Sequence, residues 1–368
     1  MKNDPFKEYL IESEPSRKSL GYAWSTAVGL QEVDGLTPSE YLIDTAKKNI
    51  EGLISIDEAQ TLLAGYYEEN PAADTEDRTQ EADIVSARIA KLLSEKAFSF
   101  TTSEYITTHK RLFAGIYDHA GKIRDYNITK KEWVLDGATV MYGSATELKA
   151  TLEYDLSVEK KFSYRGLDIN ETIKHLADFV AGLWQIHAFG EGNTRTTSVF
   201  FIKYLRTLGF DVTNDIFAEN SWYFRNALVR ANYTDITKGV HETTEYLELF
   251  LRNLLLGERN VLRNRAMHIS GAFNKKADIQ TEEADIQSAK TDIRERTKAL
   301  LPDVADKTVD HIVKLHNAKA EGEVFGRTSV EQVTGLKTTR ASELIKLMLQ
   351  HEIIIPVKGY GKGKYRFR

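Results

Sequence analysis

Apolar residues recur at three- and four-residue steps over much of this chain, and only six prolines interrupt them in 368 residues. A 3.6-residue repeat lines such positions along one face of a helix, and proline is the residue that would break it. Tyr105, Ile106, His109, Leu112, Phe113, Ile116 and Tyr117 form one such stripe. Ile173, Leu176, Val180, Leu183 and Trp184 form a second, and Tyr246, Leu247, Phe250, Leu251 and Leu254 a third. The spacing predicts a mainly α protein whose core is built from these faces. One stretch breaks the rhythm: between Gly121 and Leu148, β-forming residues flank Asp136-Gly137, a dipeptide suited to a tight hairpin turn. A β-hairpin among helices is expected there.

Length implies more than one compact unit, since single cores stop growing at roughly 250–300 residues. The absence of cysteine excludes a disulfide scaffold, a zinc ribbon, a thiol nucleophile and an iron–sulfur cluster. A formal net charge of -5 argues against attraction of the whole chain to nucleic acid or anionic lipid, leaving only local basic patches for that work. The first eighteen residues mix both signs of charge and lack the apolar stretch of a signal peptide. The most apolar segments fall short of the ~20 residues a membrane span needs. A cytoplasmic protein with no membrane partner is expected.

The segment richest in chemistry is His187-Ala188-Phe189-Gly190-Glu191-Gly192-Asn193-Thr194-Arg195, placed as a loop between two helices. Glycines allow unusual backbone angles, and amides opening the second helix can meet an anion. An imidazole titrating near ~6.5, a carboxylate suited to a hard cation, an amide and a guanidinium complete a set for phosphoryl or nucleotidyl transfer. His187 would take a proton from an attacking hydroxyl, Glu191 would hold Mg2+, and Asn193 and Arg195 would meet phosphate charge. The same residues also suit a plain corner between helices, with Glu191 and Arg195 as an i,i+4 surface pair. A zinc site is disfavoured, because no second histidine stands at the required spacing.

HAFGEGNTR resembles the Fic family signature HxFx[DE]GN[GK]RxxR. The stretch HKRLFAGIYDHAGKIR, His109 to Arg124, resembles the family's lead-in helix and turn, and YFRNALVRANY, Tyr223 to Tyr233, a later helix. The resemblance implies a helical core with a β-hairpin flap, and transfer of AMP from ATP to a Ser, Thr or Tyr hydroxyl of a target protein. It makes His187 the base, Glu191 the magnesium ligand, Gly192, Asn193, Thr194 and Arg195 the nucleotide-binding positions, and Phe189 a buried anchor. The flap, at 128–142, would dock the target by strand addition. Two positions depart from the pattern. Thr194 stands where Gly or Lys is usual and is expected to narrow the space beside the phosphates. Ser198 stands where the second Arg belongs, which removes a bidentate partner for phosphate. Family members with Lys at the first position phosphorylate instead, so phosphotransfer is the alternative reaction.

Residues 42–67 resemble the antitoxin-like segment, VbhA-like, that restrains Fic enzymes. Its brake motif ends in Glu-Gly, matched by Glu51-Gly52, although Lys47 replaces the usual Ser or Thr. Glu51 would then inhibit by reaching a site cation such as Arg195. Near the C-terminus, two short helical patterns around Gly335, the strand-like Ile353 to Val357 and a glycine-rich tip predict a small α+β winged-helix module. Lys337, Arg340, Lys346, Lys358, Lys362, Lys364, Arg366 and Arg368 make DNA a candidate partner there. The expected organisation is an N-terminal helical region at 1–95 with the antitoxin-like segment at about 40–70, a Fic core at 96–260, a helical linker at 261–300 and the winged helix at 301–368. A DNA-binding regulator that senses nucleotide without turnover is the second functional class, and a homo-oligomer is left open.

Overall fold

The computed structural model describes residues 4–12, 14–70, 78–212, 216–270, 301, 304, 306–319, 324–351, 353–357 and 363–367. The chain divides into two compact units, Lys2–Phe273 and Asn274–Arg368, the latter grouped with Met1. In the first, the helices run α1 (Lys7–Glu12), α2 (Pro15–Gly29), α3 (Glu40–Ile50), α4 (Ile56–Glu69), α5 (Thr79–Ser94), α6 (Thr102–Phe113), α7 (Leu148–Lys161), α8 (Ile169–Ile186), α9 (Asn193–Thr207), α10 (Ile216–Ala231) and α11 (Glu245–Leu256). The mainly helical architecture is as expected. No helix among the described residues is long and apolar enough to cross a membrane.

Helix α9 is the centre of this unit. Every residue from Asn193 to Leu205 is buried, so only the end of the helix meets solvent. Its polar residues are tolerated because each finds a partner. Thr196 donates to the Gly192 carbonyl, Ser198 to the Thr194 carbonyl, and Lys203 to the carbonyls of Leu92 and Glu95. Helix α8 lies alongside, started by a capping box in which Asp168 accepts from the Asn170 and Glu171 amides. It buries Ile173, Leu176, Val180 and Trp184. The stripe read on α6 is present, but that helix ends at Phe113, leaving Ile116 and Tyr117 in the following turn.

The N-terminal helices are part of the same core. Helix α2 packs on α5 and α10. A side chain at Gly29 would meet the Ala218 backbone at 2.4 Å, so only glycine lets α2 and α10 approach this closely. Trp24, Ala27, Leu42, Ala46, Val85 and Ile89 join Trp184, Phe201 and Phe224 in one apolar cluster. Helices α3 and α4 form the hairpin that carries residues 42–67.

The stretch at 128–142 departs from expectation. Asp136 and Gly137 do form a tight turn, both with positive φ (55° and 81°), closed by the Ala138 amide donating to the Leu135 carbonyl at 3.0 Å. No strand ladder accompanies it; a short 3-10 turn, Trp133–Leu135, stands in its place. The reason lies in Val134 and Leu135, adjacent residues that are both fully buried. A strand would point them to opposite faces, whereas a tight helical turn delivers both to the core. The core also continues beyond residue 260, the expected start of a linker: Met267 is buried in it, and the Ile269 amide donates to the Val134 carbonyl. Residues 271–300 of that linker lie outside the described residues.

In the second unit, α12 (Asp306–Asn317), α13 (Arg327–Thr334) and α14 (Thr338–Gln350) accompany the strands β1 (Phe325–Gly326), β2 (Ile354–Pro356) and β3 (Lys364–Phe367). The strands form an antiparallel sheet of order β1-β3-β2, with Phe325 opposite Tyr365 and Ile355 opposite Arg366. Ile312, Leu315, Val330, Ala341, Leu344, Met348 and Ile354 make its separate core. Gly335, at φ 75°, ends α13 as the sequence predicts. The glycine-rich tip falls largely outside the described residues.

Candidate active site

The α8–α9 loop begins where α8 stops. His187 takes the left-handed conformation (φ 50°, ψ 55°) that usually falls to glycine after a helix end, at a cost of about 1 kcal/mol. This backbone turn points its ring away from the helix axis, between Tyr142, with ring centroids 4.2 Å apart, and Trp184, at 5.3 Å. Only 3% of His187 is exposed, and neither ring nitrogen has a hydrogen-bond partner. Burial, followed by the positive charge of Lys130 and then of Arg124 and Arg225, holds its pKa well below the ordinary imidazole value. The ring is therefore neutral at pH 7 and able to accept a proton.

The rest of the loop is locked by its own side chains. Asn193 accepts from the Phe189 amide at 2.9 Å and donates to the Phe189 carbonyl at 2.7 Å, closing residues 189–193 into a ring. Phe189 is fully buried, stacked 3.7 Å from the His109 ring. Gly192 has φ 74°, and a side chain there would strike the Phe113 ring at 2.4 Å. As the N-cap of α9 it offers no capping group, so the first amides of a fifteen-residue helix are not capped by a side chain. An unpartnered buried imidazole at one end of the loop and an uncapped helix N-terminus at the other suit a base and an anion site.

The positions singled out from sequence separate into two sets. His187, though nearly all buried, keeps both ring nitrogens unpartnered, and Glu191 lies on the open side. Glu191 is about one-third exposed, and its two carboxylate oxygens meet the Lys130 amine at 3.2 and 3.3 Å. Asn193, Thr194 and Arg195 are buried. The Thr194 hydroxyl accepts from the Trp184 indole at 3.0 Å, so this side chain is turned inward and does not crowd a phosphate as anticipated. Ser198 is likewise interior.

Arg195 is the larger departure. None of its side chain is exposed. It pairs with Asp34 and Glu81, each at 2.7 Å, donates to Gln31 at 3.0 Å and lies over the Phe113 ring. Burial pushes the Glu81 carboxyl up, but the hydrogen bonds from Arg78 and the charge of Arg195 outweigh it and hold the pKa below the usual range. This guanidinium ties the loop to the N-terminal region and has no face left for a ligand. Glu51, anticipated as its partner, is exposed and accepts from the Tyr9 hydroxyl instead.

Two residues that hold the loop were not singled out for any role. His109 accepts from the Gly121 amide at 2.9 Å and meets the Glu191 carbonyl at 3.0 Å through Nε2. Since an amide only donates, Nδ1 is the acceptor and Nε2 carries the proton. Burial, aided by charges on His119 and Arg195, lowers its pKa to about 4, consistent with this neutral form. Arg124 donates to the carbonyls of His187, Tyr126 and Gly143, clipping both ends of the 126–143 excursion to the loop. Both lie in the stretch His109 to Arg124 that resembles the family's lead-in, which was the available signal.

No group of three or more metal-binding side chains forms among the described residues. Glu191 alone suits a cation such as Mg2+, which commonly takes one or two carboxylates and completes its shell with phosphate and water oxygens. A metal delivered with a nucleotide would fit this donor set, and Glu191 would be its protein ligand.

Residues 99–205 match the Fic/DOC family, a span that runs from the turn before α6 to the last residues of α9 and contains the whole loop. A curated relative is the protein adenylyltransferase VbhT of Bartonella schoenbuchensis, 23% identical over 304 residues. That alignment covers 70% of this chain, and the chain spans 62% of the relative's length.

Proposed function

We propose that this protein is a Fic-type adenylyltransferase, moving AMP from ATP to a Ser, Thr or Tyr hydroxyl of a target protein. The observation that carries the reading is His187: buried, neutral, unpartnered at both ring nitrogens and six residues before the uncapped start of α9. The imidazole removes the proton of the incoming hydroxyl, whose oxygen attacks the α-phosphorus while pyrophosphate leaves. The amides opening α9 meet the phosphate charge, and Glu191 would hold the magnesium that accompanies ATP, which neutralises phosphate oxygens when bound. Arg195 serves by fixing the loop rather than by touching phosphate. Inhibition by Glu51 is not part of this reading, because its carboxylate meets Tyr9. ATP as substrate accords with a cytoplasmic location.

The target would dock at 128–142. Met141 is 84% exposed, and Trp133 and Tyr126 are about half exposed, an apolar rim beside the loop. Incubation with ATP labelled at the α-phosphate should label protein, and His187→Ala should abolish the labelling. Label arriving only from the γ-phosphate would establish phosphotransfer.

The second unit supports a further partner. Thr338, Thr339, Arg340 and Lys346 are exposed along α14, the second helix of the pair, and Lys364 and Arg366 are exposed on β3. We read these exposed residues as the surface this unit would offer to duplex DNA, as a helix-turn-helix does with its second helix. Together with the internal commitment of Arg195, it also favours the second reading, a DNA-binding regulator that senses nucleotide. Salt-sensitive duplex binding without any turnover would select that reading.

A further inference from the structure

The site lacks a guanidinium at Ser198, and Arg195 is spent in the interior, yet a nucleoside triphosphate carries several negative charges that some side chain must meet. Three cations bear on His187: Lys130, Arg124 and Arg225. Arg124 is committed to three backbone carbonyls. Arg225 pairs at 2.7 Å with Glu132, which is 1% exposed. Lys130 differs in kind: it pairs with Glu191, the residue suited to the metal, and both side chains are about one-third exposed. Its partner is thus the one that would be taken away when metal and nucleotide arrive.

We propose that Lys130 is the phosphate-binding cation of this site, held in reserve by Glu191 until a divalent cation displaces it onto the polyphosphate of a nucleoside triphosphate. This inference rests on the nucleotide-transfer reading and deepens it. Electrostatics supplies the exchange. Lysine and carboxylate together are neutral; a divalent cation on Glu191 turns that point positive and repels the amine. The polyphosphate arriving with the metal is the new centre of negative charge. A lysine suits this work because its amine is a point charge on a flexible four-carbon stem. Its place in the 128–142 excursion means that nucleotide loading would also draw on the segment proposed to dock the target.

The test is calorimetric titration of the full chain with AMP-PNP, a non-hydrolysable ATP analogue, in magnesium and separately in EDTA. Lys130→Met should weaken binding of the magnesium complex about tenfold, the scale of one charge-assisted hydrogen bond, while Lys130→Arg stays near wild type. In EDTA, Glu191→Gln should bind the analogue more tightly than wild type, because the lysine is released. Adding Lys130→Met to Glu191→Gln should erase most of that gain, a response that a merely structural lysine would not give. Wild type that binds the magnesium complex while Lys130→Met binds it equally well would overturn the inference alone. Wild type that binds no nucleotide in magnesium would overturn the nucleotide-site reading and the inference with it.

Discussion

Arg195 and Lys130 flank the same loop and carry the same charge, but the structure puts them to opposite uses. Arg195 is sealed among Asp34, Glu81, Gln31 and Phe113, with no surface exposed. Lys130 stands at the open side on a carboxylate that water reaches. A buried, saturated ion cluster is a structural joint, and removing one member leaves stranded charge. An exposed pair has little holding it together and can exchange partners. The loop that reads in sequence as a single phosphate-binding kit is therefore two things: an inner half that fixes the fold and an outer half available for chemistry.

The sharpest way to break this contrast is Arg195→Ala. If the guanidinium is a joint, thermal or denaturant unfolding should show a loss of about 3–5 kcal/mol, the usual cost of leaving buried partners uncompensated. A protein of unchanged stability that has lost only nucleotide affinity would return Arg195 to the phosphate site.

A smaller effect is expected from His109. With its pKa lowered to about 4, the unfolded chain binds a proton that the folded chain refuses between that pH and the ordinary value near 6.5. Its contribution to stability is complete above about 6.5 and declines as the pH falls toward 4. Melting temperatures of wild type should drop across that window more steeply than those of His109→Leu. Equal slopes would show that the ring does not hold the Glu191 carbonyl as a neutral donor.

The smallest change belongs to Glu51→Gly. Losing an exposed contact to Tyr9 and gaining a glycine at a helix end should cost about 1 kcal/mol at most. Transfer activity and nucleotide affinity should stay as in wild type. A strong rise in activity would restore Glu51 as a brake acting from a different conformation.

What was legible in the sequence follows from the range of the interactions. The α8 and α11 stripes, the α6 stripe as far as Phe113 and the loop between α8 and α9 are local patterns, and the structure places them where the spacing says. The fate of Arg195 was hidden because Glu81 and Gln31 lie 114 and 164 residues before it. Arg78 and Glu81 pair three residues apart, but nothing local tells that such a pair will close on an arginine of another helix. The missing ladder at 128–142 was legible in part: Asp136-Gly137 gave the turn, while adjacent Val134 and Leu135 already conflicted with the alternation of a half-buried strand.

The central claim is that His187 is the working base of an AMP transfer. Intact-mass spectrometry of the protein, alone and mixed with target extract, after incubation with ATP and Mg2+ tests it most directly. Wild type should yield species heavier by one AMP and His187→Ala none, at equal melting temperature. Addition of a phosphate, or AMP addition that persists in His187→Ala, would contradict it.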